Sequence, residues 1–164
     1  MNAGAGGGQS LGRVLVVDDE MHLRLFIKAV FDSAGYETAT ARDGEEGLAK
    51  LREFRPRLVS LDLMMPNQGG IRFLTELRRD PDLAGTKVLV VSAIEGETFR
   101  HSLALLSAGA APGRAGSAPP GPDGYVEKPP TAETLLREAR RILGAEAPRE
   151  TGAGQSPNPE AQEA

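Results

Sequence analysis

Short aliphatic runs alternate along the chain with longer stretches in which apolar residues recur every three or four positions. The runs have the character of strands buried on both faces, and the longer stretches that of amphipathic helices. Their alternation predicts an α/β fold on a parallel sheet. Five such pairs can be counted. Arg13 to Val17 reads as the first strand and ends abruptly in Asp18, Asp19 and Glu20. The helix after it carries Leu23, Phe26, Ile27, Val30 and Ala34 as an expected core-facing stripe, and Gly35 closes it. Tyr36 to Thr40 is the second strand. Asp43 with Glu46 three residues on looks like a capping box opening a helix to about Phe54, with Leu48 and Leu51 inward. Leu58 to Leu61 is the third strand and again ends in an acid, Asp62. A loop from Leu63 to Gly70 and a helix through Arg79 follow. Lys87 to Val91 is the fourth strand, ending at Ser92 and Ala93, with a weaker helical stretch from about Glu95 to Ala110. Tyr125 to Glu127 is the fifth, followed by Lys128, a Pro-Pro pair that stops the strand, and a last helix with Leu135, Leu136, Ala139, Ile142 and Leu143 on one side.

Composition divides the 164 residues into a globular part and its margins. More than half of the 20 glycines and 12 prolines fall in residues 1–12, 111–122 and 144–164. The first and last of these offer little to bury, so ordering entropy predicts disordered tails on either side of one domain over 13–143. The middle one reads as a mobile, extended insertion within it. No apolar run approaches the roughly 18 residues that would span a membrane, and the start lacks a signal-peptide pattern, so a cytoplasmic protein is expected. The absence of cysteine excludes disulfides, thiolate metal sites and cysteine nucleophiles. A net charge of -4 without a long basic block argues against nonspecific binding to nucleic acid or to anionic membranes, leaving proteins and small ions as expected partners.

In a doubly wound sheet the C-terminal strand ends line one rim, where ligands bind. That rim would gather Asp18, Asp19, Asp62, Ser92 and Lys128. Carboxylates held close repel one another, and a hard cation with oxygen ligands, magnesium or manganese, relieves the repulsion. Singly, each residue has a simpler reading. An acid or serine after a strand often caps the next helix or makes a turn, and a lysine is usually solvated. Tyr125 alone reads as a half-buried strand residue. The joint spacing over five strands favours a site.

Val14-Leu-Val-Val-Asp-Asp-Glu20, Leu61-Asp-Leu-Met-Met-Pro66, Val90-Val-Ser-Ala93 and Tyr125-Val-Glu-Lys-Pro129 resemble the receiver domains of two-component signalling, over roughly residues 12 to 144. Asp43 to Leu48 and Ala108-Gly-Ala110 add to the likeness. The resemblance implies a flavodoxin-like receiver fold, a doubly wound five-stranded parallel sheet in the order 2-1-3-4-5. It makes Asp62 the phosphoacceptor and Asp19 a direct magnesium ligand, with Asp18 acting through a bound water and Met64 lending its backbone carbonyl. Ser92 would bond a phosphoryl oxygen, Lys128 would pair with the phosphorylated aspartate through a cis peptide to Pro129, and Tyr125 would change rotamer. Met64 and Ile94, both apolar, imply slow hydrolysis of the acyl phosphate. Gly69, where the family often has an acid, is expected to matter little for chemistry.

The resemblance further implies a sensor histidine kinase or phosphotransfer protein as donor and switching of the surface between the fourth and fifth helices. The chain would be a phosphorylated switch and not a turnover enzyme. The tail after Leu143 is poor in apolar residues, so output through a downstream effector protein is expected, as a monomer or a dimer through those helices. Two alternatives stand beside this reading: an aspartate-nucleophile phosphatase, which would want its nucleophile on the first strand, and a receiver-fold binding module that works without phosphorylation.

Overall fold

The first, third and fourth of the runs become strands buried on both faces, while the second and fifth, at the edges of the sheet, are only partly covered. A computed structural model describes residues 10–94, 97, 98, 101 and 121–144. Its strands are β1 Arg13–Val17, β2 Glu37–Ala41, β3 Leu58–Leu61, β4 Lys87–Ser92 and β5 Gly124–Glu127, all parallel, in the order 2-1-3-4-5. The described helices are α1 Met21–Ser33, α2 Gly44–Phe54, α3 Gly69–Arg79 and α4 Ala132–Leu143, with a 3-10 turn at Pro66–Gln68 before α3. Strand alternation splits the core in two. Leu15, Val17, Val59, Leu61, Val88 and Val90 pack with Leu51, Phe73 and Leu77 of α2 and α3. Val14, Val16, Leu58, Leu89 and Val91 pack with Ile27, Phe31, Leu135 and Ala139 of α1 and α4.

Local chemistry sets the helix starts. Asp43 accepts the Glu46 N–H at 2.8 Å, while the Glu46 carboxylate reaches past the cap to the Arg42 N–H at 3.1 Å. Thr131 and Thr134 form a full reciprocal capping box that starts α4 immediately after the two prolines. Three expectations are corrected. Phe26, assigned to the inward stripe, is 42% exposed, because the buried face of α1 runs through Ile27, Val30 and Phe31. The second strand begins at Glu37, since Tyr36 turns edge-on to Phe31 at 5.6 Å instead of entering the ladder. Residues 10–12, assigned to the N-terminal tail, are tied to the domain: the Leu11 N–H bonds the Gly35 carbonyl, and the Gly12 carbonyl accepts the Glu37 N–H, each at 3.0 Å.

The tails over 1–9 and 145–164 and most of the stretches 95–110 and 111–122 lie outside the described residues. The described end of the insertion, at Gly121, enters β5 at the edge of the sheet opposite the acidic rim. No helix among the described residues is long and apolar enough to cross a membrane.

Candidate functional site

The strand order reverses between β1 and β3, whose ends carry Asp18 and Asp62. The sheet's hydrogen bonding continues one residue past each strand and sets their height: Asp18 N–H bonds the Ala41 carbonyl at 3.1 Å, and Asp62 N–H bonds the Val17 carbonyl at 2.9 Å. Asp18 and Asp62 are buried, at 1% and 3% exposure, while Asp19 is exposed. One carboxylate oxygen from each of the three lies within 4.8 Å of the others.

Lys128 closes the group from β5. Its Nζ stands 3.1 Å from Asp62 Oδ2 and 3.2 Å from Asp18 Oδ2. The contact with Asp62 is a hydrogen bond; that with Asp18 is an ion pair outside hydrogen-bond geometry, so Asp18 Oδ2 is a buried oxygen without a hydrogen-bond partner. The Lys128–Pro129 peptide is cis. Burial lifts the Asp18 carboxyl above its ordinary value; the Glu20 N–H and Lys128 oppose that rise, and the Asp62 charge adds to it. Burial also works against the charge on Lys128, yet Asp18 and Asp62 together outweigh it and hold the ammonium above the usual lysine value.

The remaining residues frame this centre. The Met64 N–H donates to Asp62 Oδ1 at 2.9 Å, while the Met64 side chain points outward, 60% exposed. Ile94 packs on the α2/α3 side of the core. Ser92 is fully buried, and its hydroxyl receives the Ile94 N–H at 3.4 Å, a local turn contact of the kind its position after a strand also allowed. The Ser92 carbonyl takes two donors, the Lys128 N–H at 2.9 Å and the Tyr125 hydroxyl at 3.2 Å, so the ends of β4 and β5 are tied together beside the lysine. The structure thus joins Asp18, Asp19, Asp62, Met64 and Lys128 directly, and Ser92 and Tyr125 through a backbone oxygen.

Two contributors escaped the sequence reading. A Cβ on Gly70 would stand 2.3 Å from the Asp62 carbonyl and 2.5 Å from Leu63 Cα, so the absence of a side chain lets α3 seat against the loop that follows Asp62. Its place after Met65-Pro66 was the available signal. Arg24 Nη1 donates to the Asp18 carbonyl at 2.7 Å; a lone arginine on a helix gives no hint of such a contact.

Three convergent carboxylates, one of them with a buried oxygen lacking a hydrogen-bond partner, fit a hard divalent cation such as magnesium or manganese. Asp18, Asp19 and Asp62 could hold it.

Comparison with known proteins agrees with this geometry. Residues 14–112 match the family model described as the response regulator receiver domain. The DNA-binding response regulator MtrA of Mycolicibacterium smegmatis is 34% identical over 131 residues, covering 80% of this chain and 50% of the relative. The response regulator MprA of Mycolicibacterium vanbaalenii is 34% identical over 144 residues, covering 88% and 55%. The chain spans about half the length of the curated relatives it matches. Among solved structures, the chemotaxis response regulator CheY4 of Vibrio cholerae superposes with a TM-score of 0.67 at 27% identity, covering 81% of this chain and 99% of that one. The receiver domain of the Francisella response regulator 1452 gives 0.64 at 28%, covering 81% and 97%. With its sheet order, its acidic rim and the family match over 14–112, the chain belongs to the response regulator receiver domain family of two-component systems.

Proposed function

We propose that this receiver is switched on by phosphorylation of Asp62, with a phosphohistidine on a sensor kinase or phosphotransfer protein as donor. The observation that carries the reading is the approach of Lys128 Nζ to Asp62 Oδ2 at 3.1 Å inside a ring of acids. The Asp62 carboxylate attacks phosphorus in line, the phosphorus–nitrogen bond to the donor imidazole breaks, and an acyl phosphate forms. A magnesium ion held by Asp18, Asp19, Asp62 and the Met64 carbonyl would neutralise phosphoryl oxygens. Lys128 supplies positive charge from the other side, and the Met64 N–H orients the attacking carboxylate through Oδ1.

After transfer the new oxygens are acceptors for the Lys128 ammonium and the Ser92 hydroxyl. The Ser92 hydroxyl leaves its 3.4 Å contact with the Ile94 N–H, and the link from Tyr125 to the Ser92 carbonyl carries the displacement into β5. The protein then acts as a switch that loses phosphate slowly, in the cytoplasm, and signals by contact with an effector protein; the acidic balance of the chain favours a protein over nucleic acid as that contact.

The test is intact-mass spectrometry after incubation with magnesium and a small acyl-phosphate or phosphoramidate donor. Wild type is expected to gain one phosphate and Asp62→Asn none. An unlabelled wild type with its fold intact by circular dichroism, and also unlabelled by a cognate kinase, would replace this reading with a binding module that works without phosphorylation.

A further inference from the structure

Arg24 lies in the first turns of α1, and its half-buried guanidinium donates to the Asp18 carbonyl at 2.7 Å, the length of a charge-assisted bond. The rest of Asp18 is held as well. Its N–H bonds the Ala41 carbonyl at 3.1 Å, and its Oδ1 accepts the Glu20 N–H at 2.8 Å. The Asp18 carbonyl belongs to the planar peptide that joins Asp18 to Asp19. Fixing that oxygen therefore fixes the plane from which Asp19 presents its side chain. The exposed Asp19 carboxylate has no hydrogen bond or ion pair of its own among the described residues, so no contact of its side chain holds it.

We infer that Arg24 is a positioning residue for the divalent cation site: by clamping the Asp18–Asp19 peptide it aims the Asp19 carboxylate at the point where Asp18 and Asp62 converge. This rests on the cation-binding part of the proposed function. Arg24 has no acceptor atom and cannot ligate the ion itself, so it acts through the backbone of two residues that can.

The inference has a sign that charge alone would reverse. Removing a positive charge from the neighbourhood of the acidic group would, through simple electrostatics, leave divalent-ion binding unchanged or strengthen it, whereas loss of the clamp weakens it. Calorimetric titration of the full chain with magnesium is the test, with melting in EDTA alongside. Arg24→Ala is expected to lower magnesium affinity about tenfold, the usual scale for losing a partner that orients a ligand, with the EDTA melting temperature nearly unchanged and much of the affinity restored in Arg24→Lys. Lys28→Ala, which removes a charge from the same helix without touching Asp18, is expected to bind as wild type or slightly tighter. Unchanged or tighter binding by Arg24→Ala overturns the inference while the site reading stands. Wild type that binds neither magnesium nor manganese overturns both. Should Arg24→Ala not fold, Arg24→Gln decides by the same comparison, weaker binding supporting the clamp and equal or tighter binding overturning it.

Discussion

Asp18 carries a negative charge into a place that is 1% exposed, and one of its oxygens has no hydrogen bond there. Burial outweighs the help of the Glu20 N–H and Lys128, so its carboxyl holds a proton more readily in the folded chain than in the unfolded one. The folded state then binds more protons over the interval between the ordinary carboxylate value and the raised one. Through that interval stability falls as pH rises, and above it the full penalty applies. Metal-free protein in EDTA is therefore expected to lose stability as pH climbs past the normal carboxylate range. Asp18→Asn should flatten this part of the profile and leave the neutral-pH protein more stable than wild type, while lowering its response to added magnesium. Chemical denaturation from pH 4 to pH 8 checks it; an Asp18→Asn profile parallel to wild type would show that burial of Asp18 costs the fold nothing.

Elements bring such residues to the rim only where backbones can approach. The start of α3 packs on the loop after Asp62 at Gly70, and a methyl group there meets the Asp62 carbonyl at 2.3 Å and Leu63 Cα at 2.5 Å, both backbone atoms that cannot swing aside. Gly70→Ala is expected to cost about 2–3 kcal/mol, the scale of overpacking, and to cut phosphate incorporation by moving Asp62. Gly85→Ala, with nothing within 4 Å of the new carbon, should stay within about 0.5 kcal/mol of wild type and label normally. Urea unfolding and the mass assay read both effects. The contrast shows why some elements were legible in the sequence and others not. Strands such as Val14 to Val17 announce themselves because burial on both faces demands an unbroken apolar run, and the acids that follow mark the rim. Phe26 misled, because α1 presents a broad apolar surface of which only the side through Ile27 and Phe31 is covered. Tyr36 misled because an aromatic with high strand propensity is used as a packing wedge against Phe31. Arg24 was silent, and Gly70 legible only by its place after Met65-Pro66, because their partners are backbone atoms, which a residue pattern does not display.

Across the whole molecule a parallel sheet has two unlike ends, and this one assigns them different work. The C-terminal ends hold the carboxylates and Lys128. At the other end Arg78, with a side chain only 4% exposed, gathers the Thr86 carbonyl at 2.8 Å, the Gly121 carbonyl at 3.3 Å and Asp123 Oδ2 at 2.8 Å. Asp123 in turn accepts the Val88 N–H at 2.8 Å and pairs with Lys87 at 3.4 Å. One buried arginine on α3 thereby fastens the entry of β5 to β4, where the chain returns from residues 111–122. Removing it strands several acceptors, although Asp123 keeps Lys87 and the Val88 N–H, so the loss falls below that of a fully orphaned buried charge. Arg78→Met is expected to cost about 2–3 kcal/mol and to lower the melting temperature by about 5–10 °C. Well below that temperature Asp62 should still accept phosphate, because Lys128 is positioned at the far end of β5 by the Ser92 carbonyl and not by the clamp. A variant as stable as wild type would remove the clamp from the account. A folded variant that no longer labels would show that the entry of β5 controls the lysine at its exit, making the two ends of the sheet one mechanical unit.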